Sequence, residues 1–284
     1  MKKVNDCYDL KYTKNVTLRL LSDLHLDSPY TDLKKVKSLF EEAKANDYKI
    51  IMFGDLFDVM GGKYDKRTIK GDIKKEHSED NYLNKVIEDI AIFLSPYIDN
   101  IALITAGNHE KEIDKRFECY LLEFLSLYIH KITSKDLNWT SDYAGFIRIH
   151  GSRNNSQDSH VTKIFYNHGK DGNATMTFGV LNVKRNAAMI DADILISGHV
   201  HKNYSVPINR LYLSQKGVIK VKEQLHLQLG TAKETHGTDY FSARKGFDPA
   251  STSFYDLDFE YKSMYKDTGN MIYENVFIER RVRL

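Results

Sequence analysis

ILISGHVHKN, residues 194–203, holds an apolar run of strand length that stops at Gly198 and then sets two histidines, His199 and His201, one residue apart. Four earlier stretches repeat this design. LRLLSDLHLD (18–27) closes on Asp23 and His25, IIMFGDLFD (50–58) on Asp55 and Asp58, ALITAGNHE (102–110) on Asn108, His109 and Glu110, and KIFYNHG (163–169) on His168. The runs predict strands over 16–22, 48–53, 100–105, 161–166 and 192–197, each short and bounded by polar or turn residues. Helical periodicity fills the spaces between them. In TDLKKVKSLFEEAKAN (31–46), Leu33, Val36, Phe40 and Ala43 recur at helical spacing behind an N-cap candidate at Thr31 or Asp32. DNYLNKVIEDIAIFL (80–94) and DKRFECYLLEFLSLY (114–128) predict further helices. Strands interleaved with helices make a layered α/β fold.

The texture changes after about residue 211. LYLS (211–214), VIKVK (218–222) and LHLQL (225–229) alternate with period two around the turn QKG, as half-solvated antiparallel strands do. Residues 230–253 carry no periodicity, and a long loop in a compact domain is usually functional or disordered.

The chain has 284 residues, 42% of them hydrophobic, so it can bury a sizeable core, and we expect one domain over 1–284. Its 41 basic and 39 acidic residues give a net charge of +2, so the global balance announces no polyanionic partner. Cys7 and Cys119 are too few for a disulfide framework or a cysteine-rich zinc site. The basic start MKK is followed by no apolar signal segment, and no apolar run is long enough to span a bilayer. A cytoplasmic protein with no membrane partner is expected.

In open α/β sheets ligands bind beyond the carboxyl ends of the strands, where all five polar clusters fall. Glycines at 54, 107 and 198 directly precede three of them, allowing sharp turns and close backbone approach. Asp, His and Asn without thiolate form a nitrogen and oxygen donor set suited to Mn, Fe, Zn, Ni or Co. Asp23, His25, Asp55, Asn108, His168, His199 and His201 are seven candidate ligands, too many for one tetrahedral ion. Two ions sharing a carboxylate fit better, and such a pair serves in-line displacement at phosphorus. His77, His130, His150, His160, His226 and His236 belong to no such cluster and read as ordinary histidines.

The ordered set D-x-H, G-D-x-x-D, G-N-H-E, H-G and G-H-x-H, carried by residues 23–25, 54–58, 107–110, 168–169 and 198–201, resembles the calcineurin-like metallophosphoesterases. The resemblance spans roughly residues 16–205, with 206–284 expected to complete the second sheet. It implies a four-layer αββα sandwich of two mixed β-sheets flanked by helices, around two divalent metals, with Mn favoured. It also implies that Asp23, His25, Asp55 and His201 hold the first metal. Asp55 bridges, and Asn108, His168 and His199 complete the second. A hydroxide between the metals would attack phosphorus. His109, oriented by Asp58 with Glu110 as a second polar neighbour, would protonate the leaving oxygen, and Asn108 and His109 would contact substrate.

Departures from familiar branches bear on the substrate. The serine/threonine phosphatases of this family follow the second motif with an arginine and a glycine; here Val59 and Met60 stand after Asp58. Purple acid phosphatases carry a metal-binding tyrosine where this chain has Asp58. SDLHL and GDLFD look most like the DNA-repair exonuclease branch, although that branch often ends its third motif in Asp where Glu110 stands. A basic segment over 61–75 follows the second motif and would suit a nucleic-acid strand, or be a solvated excursion. The reading is a phosphodiesterase or nuclease, with a phosphomonoesterase and a non-catalytic binding module as alternatives and protein partners unknown.

Overall fold

In a computed structural model of the chain, residues 1–59, 73–77, 81–152, 159–169, 181–234, 249–265 and 271–284 are described. Most of the basic segment 61–75, and residues 235–248 of the aperiodic stretch, including His236, lie outside them. The elements in chain order are β1 (Lys2–Val4), β2 (Cys7–Thr13), β3 (Asn15–Leu21), α1 (Leu33–Ala45), β4 (Lys49–Phe53), α2 (Tyr82–Leu94), β5 (Ile101–Thr105), α3 (Asn108–Phe117) and α4 (Leu121–Thr133). There follow β6 (Trp139–Thr140), β7 (Ala144–Ser152), β8 (Ser159–Asn167), α5 (Leu181–Met189), β9 (Ile194–Ser197), β10 (Tyr204–Leu213), β11 (Ile219–Gln228), β12 (Ser253–Tyr265) and β13 (Met271–Arg283).

The strands form two mixed sheets, of order β1-β2-β7-β8-β9-β11-β10 and β13-β12-β3-β4-β5-β6. Their period-two side chains build two cores. In β4, Ile51 and Phe53 join Leu18, Leu20, Ile147, Ile164, Ile194 and Leu257 between the sheets. Ile50 and Met52 point the other way, onto Val36 and Phe40 of α1, Val86 and Ile90 of α2 and Leu125 of α4. Strands buried on both faces read as continuous apolar runs for this reason.

All five predicted strands form, and Asp32 caps α1 through bonds to the backbone N–H groups of Lys34 and Lys35. The segment 114–128 departs from a single helix. Glu118 takes a left-handed φ of 50° and ends α3, and α4 starts afresh after Tyr120. The C-terminal strands, expected to complete one sheet, divide between the two. β11 pairs parallel with β9 and antiparallel with β10, whereas β12 lies antiparallel to β3 and β13. A buried ion pair fastens that junction: the Arg19 guanidinium on β3 donates from Nε and Nη2 to the two carboxylate oxygens of Asp256 on β12, at 2.9 and 2.8 Å.

Candidate metal centre

The loops after β3, β4, β5, β8 and β9 meet at one end of the sandwich, because these strands run parallel within their sheets. The two sheets thereby bring together residues up to 178 positions apart in the chain, from Asp23 to His201. Asp23, His25 and His201 offer ligand atoms within 4.8 Å of one another, and so do Asp55, His168 and His199. Asp55 also forms such a group with His25 and His109, so the clusters are contiguous. Asn108 joins the second: its Oδ1 lies 3.1 Å from His168 Nε2 and 2.7 Å from His199 Nδ1. Asp55 Oδ2 stands 3.1 Å from His168 Nε2, and Asp23 Oδ1 3.3 Å from His201 Nε2.

The backbone is strained where these side chains leave it. Asp23, His25, Asp55, His199 and His201 all have positive φ, between 44° and 71°. A non-glycine residue held there costs of order 1–3 kcal/mol and persists only where its surroundings over-determine it. The glycines admit the crowding. A Cβ on Gly107 would collide with the Asp55 carboxylate, and one on Gly198 with Ser22 Oγ and, at 2.7 Å, with Asp23 Oδ2.

Several partners fix which ring nitrogen faces inward. His168 Nδ1 donates to the Phe53 carbonyl at 2.7 Å, turning Nε2 toward Asp55. His25 Nδ1 lies 3.2 Å from the Phe57 carbonyl, and its Nε2 is buried without a hydrogen-bond partner. A buried lone pair aimed into a ring of carboxylates and imidazoles suits a cation. Electrostatics point the same way. Burial would lower the His168 imidazole, but Asp55 and Asp23 overcome it and hold the group up to about 10. Against the same burial, His168 and His109 hold the Asp55 carboxyl well below its usual range. The site therefore demands positive charge at the position the donors surround, and its nitrogen and oxygen donors fit divalent metal ions.

The remaining polar residues divide their work differently from expectation. His109 Nδ1 donates to the backbone carbonyl of Asp58 at 2.6 Å, while the Asp58 carboxylate is 3.8 Å away. That carboxylate instead takes Lys233 Nζ at 3.0 and 2.9 Å and approaches His25 Nδ1 at 3.3 Å. The Glu110 carboxylate accepts the N–H groups of Asp55 and Phe57 at 3.0 Å each and of Gly107 at 2.8 Å, tying the loops after β4 and β5 together. Burial and the Asp55 charge push its carboxyl up to about 7.

Asp27, Lys233 and Thr231 were not singled out by the sequence. Buried Asp27 accepts the N–H groups of Asp58 and Val59 at 2.6 and 2.8 Å. Its place in LLSDLHLD, two residues after His25, was the available signal. Lys233 and Thr231 come from the aperiodic stretch 230–253, whose length marked it as a loop of interest without pointing to either residue.

A sequence model of the calcineurin-like phosphoesterase family matches residues 17–203. No curated protein matches the chain. Among solved structures it is similar to Vps29 of Chaetomium thermophilum at 13% identity and a TM-score of 0.36, over 93% of this chain and 96% of that one. A conserved protein of Streptococcus pneumoniae described as a predicted phosphoesterase is 12% identical with a TM-score of 0.31, over 94% and 98%. GAP50, described as the anchor in the inner membrane complex of Plasmodium, is 12% identical with a TM-score of 0.44, over 95% and 89%. Among the described residues no helix is long and apolar enough to cross a membrane.

Proposed function

The chain belongs to the calcineurin-like phosphoesterase family, and from that premise we propose that it is a metal-dependent phosphodiesterase, with a nucleic-acid strand as the favoured substrate class. The observation that carries the reading is the contiguity of the ligand groups: Asp23, His25 and His201 connect through His25 to Asp55, which also groups with His168 and His199. Asp23, His25, Asp55 and His201 would hold one divalent ion, and Asp55, Asn108, His168 and His199 the other, with Mn favoured. Bound there, the ions would polarise a phosphoryl oxygen and supply an acidic water for in-line attack at phosphorus.

The protein's own groups do the rest. His109, 15% exposed at its side chain and held at Nδ1 by the Asp58 carbonyl, turns Nε2 toward the candidate metal site, 3.8 Å from Asp55 Oδ2, where it would give a proton to the leaving oxygen. Burial would lower its pKa, but Asp55 and Asp58 overcome that and raise it, which favours the protonated ring that an acid requires. Asn108 reaches the same space and helps hold the phosphoryl group. The diester preference is supported by charge. Val59, fully buried, stands where phosphomonoester-cleaving relatives of the serine/threonine branch carry arginine, and the nearby Lys233 ammonium is neutralised by Asp58. A monoanionic diester needs less compensating charge than a dianionic monoester. The whole chain would act as one domain, since β12 and β13 complete the sheet that carries Asp23.

The test is turnover of bis(p-nitrophenyl) phosphate against p-nitrophenyl phosphate with Mn(II), followed by supercoiled and single-stranded DNA. Diester turnover is expected; turnover of the monoester alone refutes the substrate class, and turnover of neither refutes the enzyme. His109→Ala should abolish turnover with metal content unchanged.

A further inference from the structure

We infer that Lys233 is a positioning residue of this site, acting through Asp58 on His25 and His109; the inference rests on the phosphoesterase reading above. Lys233 lies outside the residues that the family model matches. It reaches the site because the chain after β11 folds back across the loop that follows β3. Thr231 Oγ1 and the Ala232 N–H both donate to the Asp23 carbonyl, at 2.7 and 3.1 Å. Lys233 forms an antiparallel bridge with Thr31, and the Glu234 N–H donates to the Tyr30 carbonyl at 2.9 Å. This strap delivers the ammonium onto both oxygens of a carboxylate that is 1% exposed.

Asp58 is a hub whose polar groups are engaged on several sides. Its N–H donates to Asp27, its carbonyl accepts from His109 Nδ1, and its carboxylate stands against His25 Nδ1 and Lys233. Removing the ammonium leaves a buried carboxylate without the partner that engages both its oxygens, so the side chain must reorient. Reorientation disturbs the hydrogen bonding of His25 Nδ1, which sets where His25 Nε2 points, and shifts the carbonyl that holds His109. Carboxylates behind a ligating histidine orient the ring in this way. Since both Asp58 oxygens occupy the ammonium, Lys233 is placed to hold the site rather than to grip substrate.

The test is a cycle of full-length wild type, Lys233→Met, Asp58→Asn and the double variant, with Lys233→Arg beside it, each checked for folding by circular dichroism. Lys233→Met should lower kcat for bis(p-nitrophenyl) phosphate about 10–100-fold, as loss of a partner behind a metal ligand does. KM should stay within about threefold, because the lost interaction is not one of ground-state binding. Lys233→Arg should recover most of the loss. The double variant should be no worse than Asp58→Asn by more than about twofold, in kcat and in Mn(II) affinity by calorimetry, because residues acting through one another are not additive. Losses that multiply, a defect confined to KM, or no recovery by arginine would overturn the inference. If Lys233→Met does not fold, Lys233→Gln takes its place in the cycle. A wild type that hydrolyses no phosphoester sinks the proposed function alone, and the Mn(II) cycle then decides this inference; a wild type that binds no Mn(II) overturns both.

Discussion

Arg19→Met removes the buried pair that joins the C-terminal strands to the sheet carrying Asp23, together with a 2.9 Å contact from Nη2 to the half-exposed Glu42 carboxylate that adds little. The Arg19 side chain is 1% exposed and Asp256 is fully buried, with two donors directed at the carboxylate. Arg19 Nη1 also donates to the Leu39 carbonyl of α1 at 2.7 Å. Breaking a buried pair from one side costs about 3–5 kcal/mol, because the other charge stays buried without its partner. Arg280 Nη2, 3.2 Å from Asp256 but half-exposed, remains to share that charge and places the expectation toward the low end. Losing the donor to Leu39 adds about 1 kcal/mol. The sum is about 4 kcal/mol, measured as the change in unfolding free energy by urea titration at pH 7.5. Replacing both partners removes both buried charges, so Arg19→Met with Asp256→Leu should return to within about 1.5 kcal/mol of wild type. A single variant costing less than about 1 kcal/mol, or a double variant as unstable as the two singles summed, would refute the claim that this pair fastens β12 to β3.

Other predictions concern the candidate metal centre. With His168 held up to about 10 by Asp55 and Asp23, the ring carries a proton at pH 7 to 8 that a metal must displace. Mn(II) affinity should therefore strengthen as pH rises through that range, with roughly one proton released at His168 per ion bound there; calorimetry in buffers of differing ionisation enthalpy reads this, and zero release would contradict the ligand role. His201→Ala should lower metal occupancy by elemental analysis, and unchanged stoichiometry removes it from the ligand set. Gly198→Ala should keep the fold by circular dichroism yet lose metal, because the new methyl lands on Ser22 and Asp23; full occupancy would show that the loop can yield.

Much of this protein is written locally. Strands buried on both faces must be apolar throughout, so β3, β4, β5, β8 and β9 stand out as short runs, and Asp32 marks the start of α1 by the chemistry of a cap. The candidate ligands are equally legible, because a polar cluster at the end of an apolar run is a local pattern and five such clusters repeat it. The break between α3 and α4 was not legible. Apolar spacing continues through 114–128, and the left-handed turn at Glu118 carries no glycine to announce it.

The division of labour within the site was decided by tertiary structure. Asp58 and His109 are 51 positions apart, and only the approach of two loops makes the carbonyl of Asp58, not its carboxylate, the nearer acceptor. Glu110 follows His109 directly, yet the helix start turns its side chain away to collect three backbone N–H groups. Lys233 reaches Asp58 across 175 positions because the strap after β11 is pinned to the Asp23 carbonyl. The sequence by itself determined which elements form and which side chains gather at their ends, since periodicity and strand termini are properties of neighbouring residues. Which atom of each side chain meets which partner depends on how two sheets and their loops pack, and only the folded chain decides that.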